Sequence, residues 1–177
     1  EMCIRDRSRT ESCRTVDVSN LLNVNKSGLY CPAGDFYVDP WGKVDRAVIT
    51  HAHSDHARSG MKHYLCSSDC EEVLKLRIGK SASVQTLDYG ESMVINGVKV
   101  SLHPAGHILG SAQVRIEVGG RVEVVSGDYK MGTDPTCRPF EPVKCHLFVT
   151  ESTFGLPIYQ WPEVDGVFRD VNRWWSR

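Results

Sequence analysis

The stretch of sequence that decides the fold is V-I-T-H-A-H-S-D-H at residues 48–56, in which an apolar strand runs directly into three histidines and an aspartate. Residues two apart in an extended backbone point to the same side, so His51 and His53 can present two imidazoles to one metal ion. Asp55 and His56 follow where we expect the chain to turn into a helix, from which they can reach a neighbouring metal. Imidazole and carboxylate ligands without thiolates are typical of a hydrolytic zinc, manganese or iron site. A single histidine on a strand is usually an ordinary residue, but this group of four predicts metal binding.

Further candidate ligands stand at the ends of other predicted strands. His103 and His107 occur in H-P-A-G-H, Asp128 in S-G-D, and Glu151 in T-E-S. Each motif follows an apolar strand pattern, and the motifs H-P-A-G-H and S-G-D precede glycine-assisted turns. Side chains at such positions can converge from separate strands on one edge of a sheet.

The chain upstream of these motifs is predicted to contain short strands and one helix. The predicted strands are Phe36–Val38, Arg46–Thr50 and Tyr64–Cys66. Ser68 with Glu71 three positions later is a capping-box pattern, and Gly79 marks the end of the helix. The apolar face of this helix is predicted to contain Cys70, Val73, Leu74 and Ile78.

Two hairpins follow, because Asn96-Gly97 and Gly119-Gly120 each separate two alternating apolar runs. Another strand is predicted at 146–150 and an amphipathic helix at 163–175. Strands in hairpins with inserted helices favour an α/β or α+β layered sandwich.

The composition is that of an ordinary globular protein. The chain has 177 residues, 41% hydrophobic and 24% charged, with a formal net charge of −1, which fits one domain and does not indicate a strongly basic nucleic-acid binder. It has no apolar run long enough to span a membrane and no secretory signal pattern, so no membrane association is expected. Seven cysteines, an odd number, are typical of free thiols in a reducing compartment, and a cytoplasmic location is expected.

The motifs H-A-H-S-D-H, A-G-H-I-L-G-S-A, S-G-D-Y and T-E-S-T-F-G resemble those of the metallo-β-lactamase superfamily, and within it the β-CASP branch of nucleic-acid-processing enzymes. The sequences at 29–36 and 148–159 are similar to those of bacterial ligase-associated DNA exonucleases, which are related to mRNA 3′-end-processing exonucleases. The resemblance extends from about residue 21 to the C-terminus. It implies an α/β fold, the αββα sandwich of that superfamily.

The resemblance also assigns roles to the candidate residues. His107 is preferred over His103 as the third histidine, and His103 then becomes an outer hydrogen-bonding neighbour, or an ordinary strand-end residue. Glu151 matches an acidic residue that supports the site from outside the ligand shell. The resemblance implies that one zinc is bound by His51, His53 and His107 and the other by Asp55 and His56, with Asp128 between them.

In the family, another histidine completes the second zinc and one more acts near the leaving group, and both are expected beyond Arg177. The expectation is therefore an N-terminal half of the sandwich at 14–177, without the β-CASP insert and the C-terminal half. Residues 1–13 are expected to be a non-native or disordered leader.

The implied function is a zinc-dependent phosphodiester hydrolase with Asp55 and Asp128 as catalytic residues. Two Zn²⁺ ions, or Mn²⁺ or Fe²⁺, would activate a water. The most specific expectation is a DNA exonuclease in repair, with an ATP-dependent DNA ligase or helicase as a partner. Alternatives are an RNA nuclease, a thioesterase or glyoxalase-like hydrolase on the same fold, and an inactive metal-binding fragment. Weak or absent turnover is expected for this span.

Overall fold

The first of two sheets is built from one continuous run of chain. The computed structural model describes residues 20–160 and 162–176, so the leader predicted at 1–13 lies outside the described residues. Six strands stand side by side in sequence order, antiparallel from β1 to β3 and parallel from β3 to β6. They are β1 (Asn23–Asn25), β2 (Gly28–Cys31), β3 (Phe36–Val38), β4 (Arg46–Val48), β5 (His63–Ser67) and β6 (Val84–Leu87).

The second sheet has five strands in the spatial order β11-β10-β9-β8-β7. All neighbours are antiparallel except β10 and β11, which are parallel. Both predicted hairpins are confirmed: Ile95 pairs with Val98 and Val118 with Arg121, leaving two-residue turns. Asn96 and Gly97 have φ of 48° and 85°, the positive pair that a type I′ turn requires. The strands are β7 (Ser92–Ile95), β8 (Val98–Pro104), β9 (Ala112–Val118), β10 (Arg121–Val125) and β11 (Leu147–Val149).

The main core lies between the two sheets. Alternate residues of β8 and β9 face sheet one, as their period of two requires. These residues are 0–1% exposed, so the interface is fully excluded from water. The buried side chains are Phe36, Val38, Val48 and Leu65 from sheet one and Val98, Val100, Leu102, Val114 and Ile116 from sheet two.

A second core lies on the outer face of sheet one, where helix α1 (Glu71–Ile78) covers it. Cys70 and Leu74 of the predicted apolar face are fully buried, whereas Val73 is 37% exposed. The predicted capping box is wrong, because neither helix start has a side-chain cap and Glu71 Oε1 instead accepts a hydrogen bond from Lys75 Nζ at 2.6 Å. A 3₁₀ turn at Ser68–Cys70 precedes the helix, so its N-cap is Cys70, two residues after the predicted Ser68.

The described residues therefore form helix, sheet and sheet layers, which are consecutive layers of the predicted αββα sandwich. The outer face of sheet two is covered by the irregular segment near Glu141, whose carbonyl accepts a 2.7 Å hydrogen bond from the buried Gln113. The predicted C-terminal helix is confirmed as α2 (Val164–Trp175), and none of its residues is buried. In the described part of the chain, no helix is both long and apolar enough to cross a membrane.

One buried carboxylate fastens the start of the described chain to sheet two. Glu123 in β10 is 0% exposed and shares the inner face with Ile116. Its two oxygens accept hydrogen bonds from the amides of Leu21 and Leu22 at 2.9 and 3.1 Å, and Arg121 Nε donates another at 3.0 Å. These charge-assisted bonds compensate for burying the carboxylate. They also link the segment before β1 of sheet one to sheet two.

Candidate metal centre

The predicted ligands meet because strands of both sheets end at the same edge of the sandwich. Strands β3 and β4 are parallel, so the residues that follow them lie together, and the same holds for β10 and β11. Strand β8 runs in the direction of β10, since both are antiparallel to β9. The edges of the two sheets are joined by a 2.8 Å hydrogen bond from the Ala112 amide to the Thr50 carbonyl.

Four side chains form a compact group that can hold one metal ion. One ligand atom from each of His51, His53, His107 and Asp128 lies within 4.8 Å of all the others. His53 Nδ1 is 3.0 Å from His51 Nε2 and 3.2 Å from His107 Nε2. These atoms converge on a common point, as the first shell of a tetrahedral site does.

Asp128 connects this group with a second one. Its Oδ2 is 3.7 Å from His51 Nε2 and 3.6 Å from His107 Nε2, whereas its Oδ1 is 3.3 Å from His56 Nε2. Asp55 Oδ2 lies 3.7 Å from the same nitrogen of His56. The carboxylate of Asp128 therefore faces His51 and His107 with one oxygen and the His56–Asp55 pair with the other.

His56 and Asp55 do not begin a helix as expected. The chain makes one turn, in which the amides of His56 and Ala57 both donate to the His53 carbonyl at 3.2 and 2.7 Å. This single turn brings the His56 ring back over His51, with ring centroids 4.1 Å apart. Asp55 remains on the open side, with its side chain 74% exposed.

Asp39, which the sequence analysis did not single out, orients two of the histidines. Its Oδ2 accepts hydrogen bonds from His56 Nδ1 at 2.7 Å and from the Thr50 hydroxyl at 2.6 Å, while Oδ1 accepts from the Thr50 amide at 2.8 Å. Because Thr50 gives its hydroxyl proton to Asp39, its oxygen accepts from His51 Nδ1 at 3.1 Å. Both rings then carry their proton on Nδ1 and leave Nε2 free to bind metal.

The loop that carries His107 is fixed by glycines and by one hydroxyl. Ser111 Oγ accepts hydrogen bonds from the amides of His107 and Ile108 at 3.1 and 3.2 Å. Gly106 has φ of +74°, and a Cβ there would lie 2.4 Å from the Lys130 carbonyl oxygen. Gly110 has φ of +77°, and a Cβ there would lie 2.4 Å from the Cys70 backbone. Only glycine fits such positions, which explains the spacing of the A-G-H-I-L-G-S motif.

The local electrostatics favour the neutral, ligating form of His51 and His107 but not that of His56. Burial, followed by the neighbouring histidines, lowers the pKa of His51 to about 2, so its ring is neutral and available to a metal. Burial also lowers the pKa of His107, although the charge of Asp128 opposes this. Burial acts against protonation of His56 as well, but the Asp39 hydrogen bond and the surrounding carboxylates outweigh it and raise the pKa.

The two residues predicted to act from outside the ligand shell occupy different places. Glu151 lies beside the centre, where its charge acts on His107, and its Oε2 accepts a 2.8 Å hydrogen bond from the Thr153 amide. His103 lies outside the four-residue group, and its ring nitrogens are 3.1 Å from Ser101 Oγ and from Glu141 Oε1.

Two open cavities flank the centre, and Asp128 and Glu151 line both. One, of about 590 Å³, is also lined by His107, Lys130 and Phe154. The other, of about 470 Å³, is lined by Trp41, Asp55, His56 and Arg58. Both volumes are within the range of about 300–1,000 Å³ that is typical of ligand sites.

The donor set fits divalent metal ions. Three imidazoles and one carboxylate oxygen match the preference of Zn²⁺ for nitrogen and oxygen ligands. The second group, formed by His56, Asp55 and the other oxygen of Asp128, offers fewer protein ligands. We therefore expect a stronger position at the three histidines and a weaker one at His56.

The sequence of the chain is similar to parts of three longer proteins. It is 32% identical to a probable DNA ligase from Opitutus terrae over 81% of the chain and 14% of that protein. It is 40% identical to Endoribonuclease YSH1 from Yarrowia lipolytica over 63% of the chain and 18% of that protein. It is 30% identical to Transcription termination factor FttA from Thermococcus kodakarensis over 79% of the chain and 27% of that protein. The chain thus spans between about a seventh and a quarter of these relatives.

No family model matches the chain. Among solved structures, a metallo-β-lactamase from Cronobacter sakazakii is similar with a TM-score of 0.41 and 12% identity, over 52% of this chain and 44% of the other.

Proposed function

Because the chain belongs to the metallo-β-lactamase superfamily, in its β-CASP branch, we propose that this centre hydrolyses phosphodiester bonds in nucleic acid. The observation that carries the proposal is the position of Asp128, whose two oxygens face two separate groups of metal ligands. When bound, two divalent cations supply activation of water and neutralise the charge of the phosphate.

The side chains contribute positioning and proton control. Asp55 lies on the open side of the centre, where its carboxylate can accept a hydrogen bond from the attacking water and orient it. Asp39 keeps His51 and His56 in the tautomers that leave Nε2 unprotonated. Glu151 stands between the two cavities, next to His107.

We propose that the substrate is DNA and that the enzyme acts as an exonuclease beside a DNA ligase. The support is the relative named a probable DNA ligase, which matches the larger share of this chain. An RNA substrate is the second candidate, and the match to the protein named Endoribonuclease YSH1 favours it.

The experiment begins with the metal content of the purified chain before and after loading with Zn²⁺ or Mn²⁺. The loaded protein is then incubated with single-stranded DNA and RNA of one sequence, labelled at either end. The proposal predicts a ladder of shortened DNA, slower loss of RNA, and no cleavage by Asp128→Asn. Asp69→Asn is the matched control, because Asp69 forms an exposed ion pair with Arg138. Because weak or absent turnover is expected for this span alone, the same assay is run on a longer form that includes the residues expected beyond Arg177. Two bound metals in that form without cleavage of either nucleic acid would refute the proposal, and preferential cleavage of RNA would refute the DNA assignment.

A further inference from the structure

An exposed tryptophan forms one wall of the cavity next to His56. The Trp41 side chain is 57% exposed, yet its backbone is held firmly. Its amide donates to the Ser27 carbonyl at 2.8 Å, and the preceding Pro40 is buried. Gly28 packs against both residues, since a Cβ there would lie 3.3 Å from Pro40 Cα and 3.4 Å from the Trp41 nitrogen. A large ring on a fixed backbone, open to solvent, is a preformed surface for stacking.

An arginine lies on the same wall. Arg58 Nη1 donates to the Trp41 carbonyl at 3.1 Å, which holds the guanidinium next to that residue. The Arg58 backbone is fixed as well, because its carbonyl accepts from the Tyr64 hydroxyl at 3.0 Å. Within the described ranges no carboxylate forms an ion pair with Arg58, unlike Arg46, which pairs with Asp35. The guanidinium keeps further N–H donors for an anion.

We propose that this cavity binds the nucleotide next to the scissile phosphodiester of a single-stranded nucleic acid, with its base stacked on Trp41 and its phosphate bound by Arg58. The inference rests on the proposed function, since it places the reacting phosphate at Asp128. A base offers its flat face to a protein ring only when it is not stacked in a duplex, and stacking combined with cationic contacts is how sequence-independent single-strand binding works.

The charges around the cavity make this binding depend on metal. Four carboxylates line the cavity, those of Asp39, Asp55, Asp128 and Glu151, against the single guanidinium of Arg58. Without cations, this excess of negative charge repels a phosphate backbone. With divalent ions at the centre the balance reverses, because the ions are the largest local charges.

The test measures binding of fluorescein-labelled oligothymidylate and oligouridylate of eight nucleotides, and of a duplex of the same length, by fluorescence anisotropy. The zinc-loaded protein is used, with phosphorothioate linkages to prevent cleavage. Trp41→Ala is expected to weaken single-strand binding by about 10-fold or more, and Trp41→Phe to restore most of it. Arg58→Gln keeps a side-chain donor for the Trp41 carbonyl but loses the charge, so affinity falls and the salt dependence decreases by about one phosphate contact.

Matched controls are Trp174→Ala, at a 72% exposed ring on α2, and Arg46→Gln, at an arginine at the start of β4, the end opposite His51. All variants must bind the same amount of zinc as the wild type. If Trp41→Ala and Arg58→Gln bind single strands as well as the two controls do, or if duplex binds equally well, the inference is wrong.

A separate measurement on the wild type tells this failure from failure of the proposed function. Bis(p-nitrophenyl) phosphate is a diester without bases, so its hydrolysis reports the metal centre alone. Hydrolysis together with unchanged binding in both variants refutes only the Trp41–Arg58 site. Absence of hydrolysis of this diester and of unmodified oligonucleotides by the longer form that includes the residues expected beyond Arg177 refutes the proposed function, whereas weakened single-strand binding in the variants still supports the nucleotide site. Comparison of thymidylate with uridylate identifies the preferred polymer.

Discussion

Replacing Asp39 by asparagine exchanges one carboxylate oxygen for an NH₂ group beside His56. The hydrogen bond from the Thr50 amide to Oδ1 can be kept, because asparagine retains one oxygen. At the other position, the new N–H group faces the proton on His56 Nδ1, 2.7 Å away in the wild type. Two donors cannot bond each other, so His56 moves its proton to Nε2 and loses the lone pair that would bind metal.

The size of the effect follows from this change of tautomer. Loss of a partner that orients a metal-binding histidine costs about 10–100-fold in metal affinity, or about 1.4–2.8 kcal/mol. The Asp39 and His56 side chains are only 13% and 20% exposed, so solvent does not replace the lost acceptor. The loss falls on the weaker position at His56. The position at His51, His53 and His107 is kept, because the Thr50 hydroxyl can rotate to accept from the new amide and remain next to His51.

Zinc titration against a competing chelator measures the two steps separately. We expect the tighter step to be unchanged in Asp39→Asn and the weaker step to shift by about 10–100-fold. Asp35→Asn is the control, since Asp35 also has positive φ, 51° against 43° for Asp39, but pairs with the exposed Arg46. Equal weakening of both steps, or no change in either, would refute the tautomer argument.

Three more substitutions test other parts of the structure. Gly127→Ala places a Cβ 2.6 Å from the Thr50 side chain at φ +55° and is expected to lower zinc affinity and Tm. Its control, Gly120→Ala, also has a positive φ, +85°, but lies in open space and should lower Tm only slightly. Glu123→Gln puts a donor against a backbone amide of residues 21–22 and should lower the free energy of unfolding by about 1.5–3 kcal/mol in urea titrations; an unchanged value contradicts the fastening role. Burial holds the pKa of His51 at about 2 in the folded apoprotein against an ordinary 6.5, so the unfolded chain binds the extra proton and stability falls as pH decreases between these values. With EDTA present, His51→Asn should make the free energy of unfolding depend less steeply on pH in this range. An unaltered pH dependence would contradict the role given to His51.

The parts of the fold that depend on local chemistry were predictable from the sequence. The Asn96-Gly97 and Gly119-Gly120 turns require positive φ at both positions, and each pair stands between alternating apolar residues. Strands β1, β2 and β6 were not predicted. Strand β1 is exposed at all three positions and has no alternating pattern, so only its pairing with β2 makes it a strand. Such pairing is a property of the whole sheet and leaves no local signal.

The candidate site likewise contains residues that the sequence indicates and one residue that it does not. His51, His53, Asp55 and His56 are recognisable because four ligating residues stand within six positions. Asp39 is a lone acidic residue twelve positions before His51, and its contact with His56 arises only from the parallel pairing of β3 with β4. Its position directly after an apolar strand was the one available indication.

Each sheet uses an uninterrupted stretch of chain, 23–87 for the first and 92–149 for the second, yet the proposed ligands come from both. A ribosome releases the N-terminal stretch first, so His51, His53 and His56 are present on a nearly complete sheet before His107 and Asp128 have been synthesised. That partial set lacks the carboxylate between the two positions and the third imidazole of the stronger one. We therefore expect cation uptake to be among the last events of biogenesis, following the docking of sheet two, and to join two halves that were made at different times.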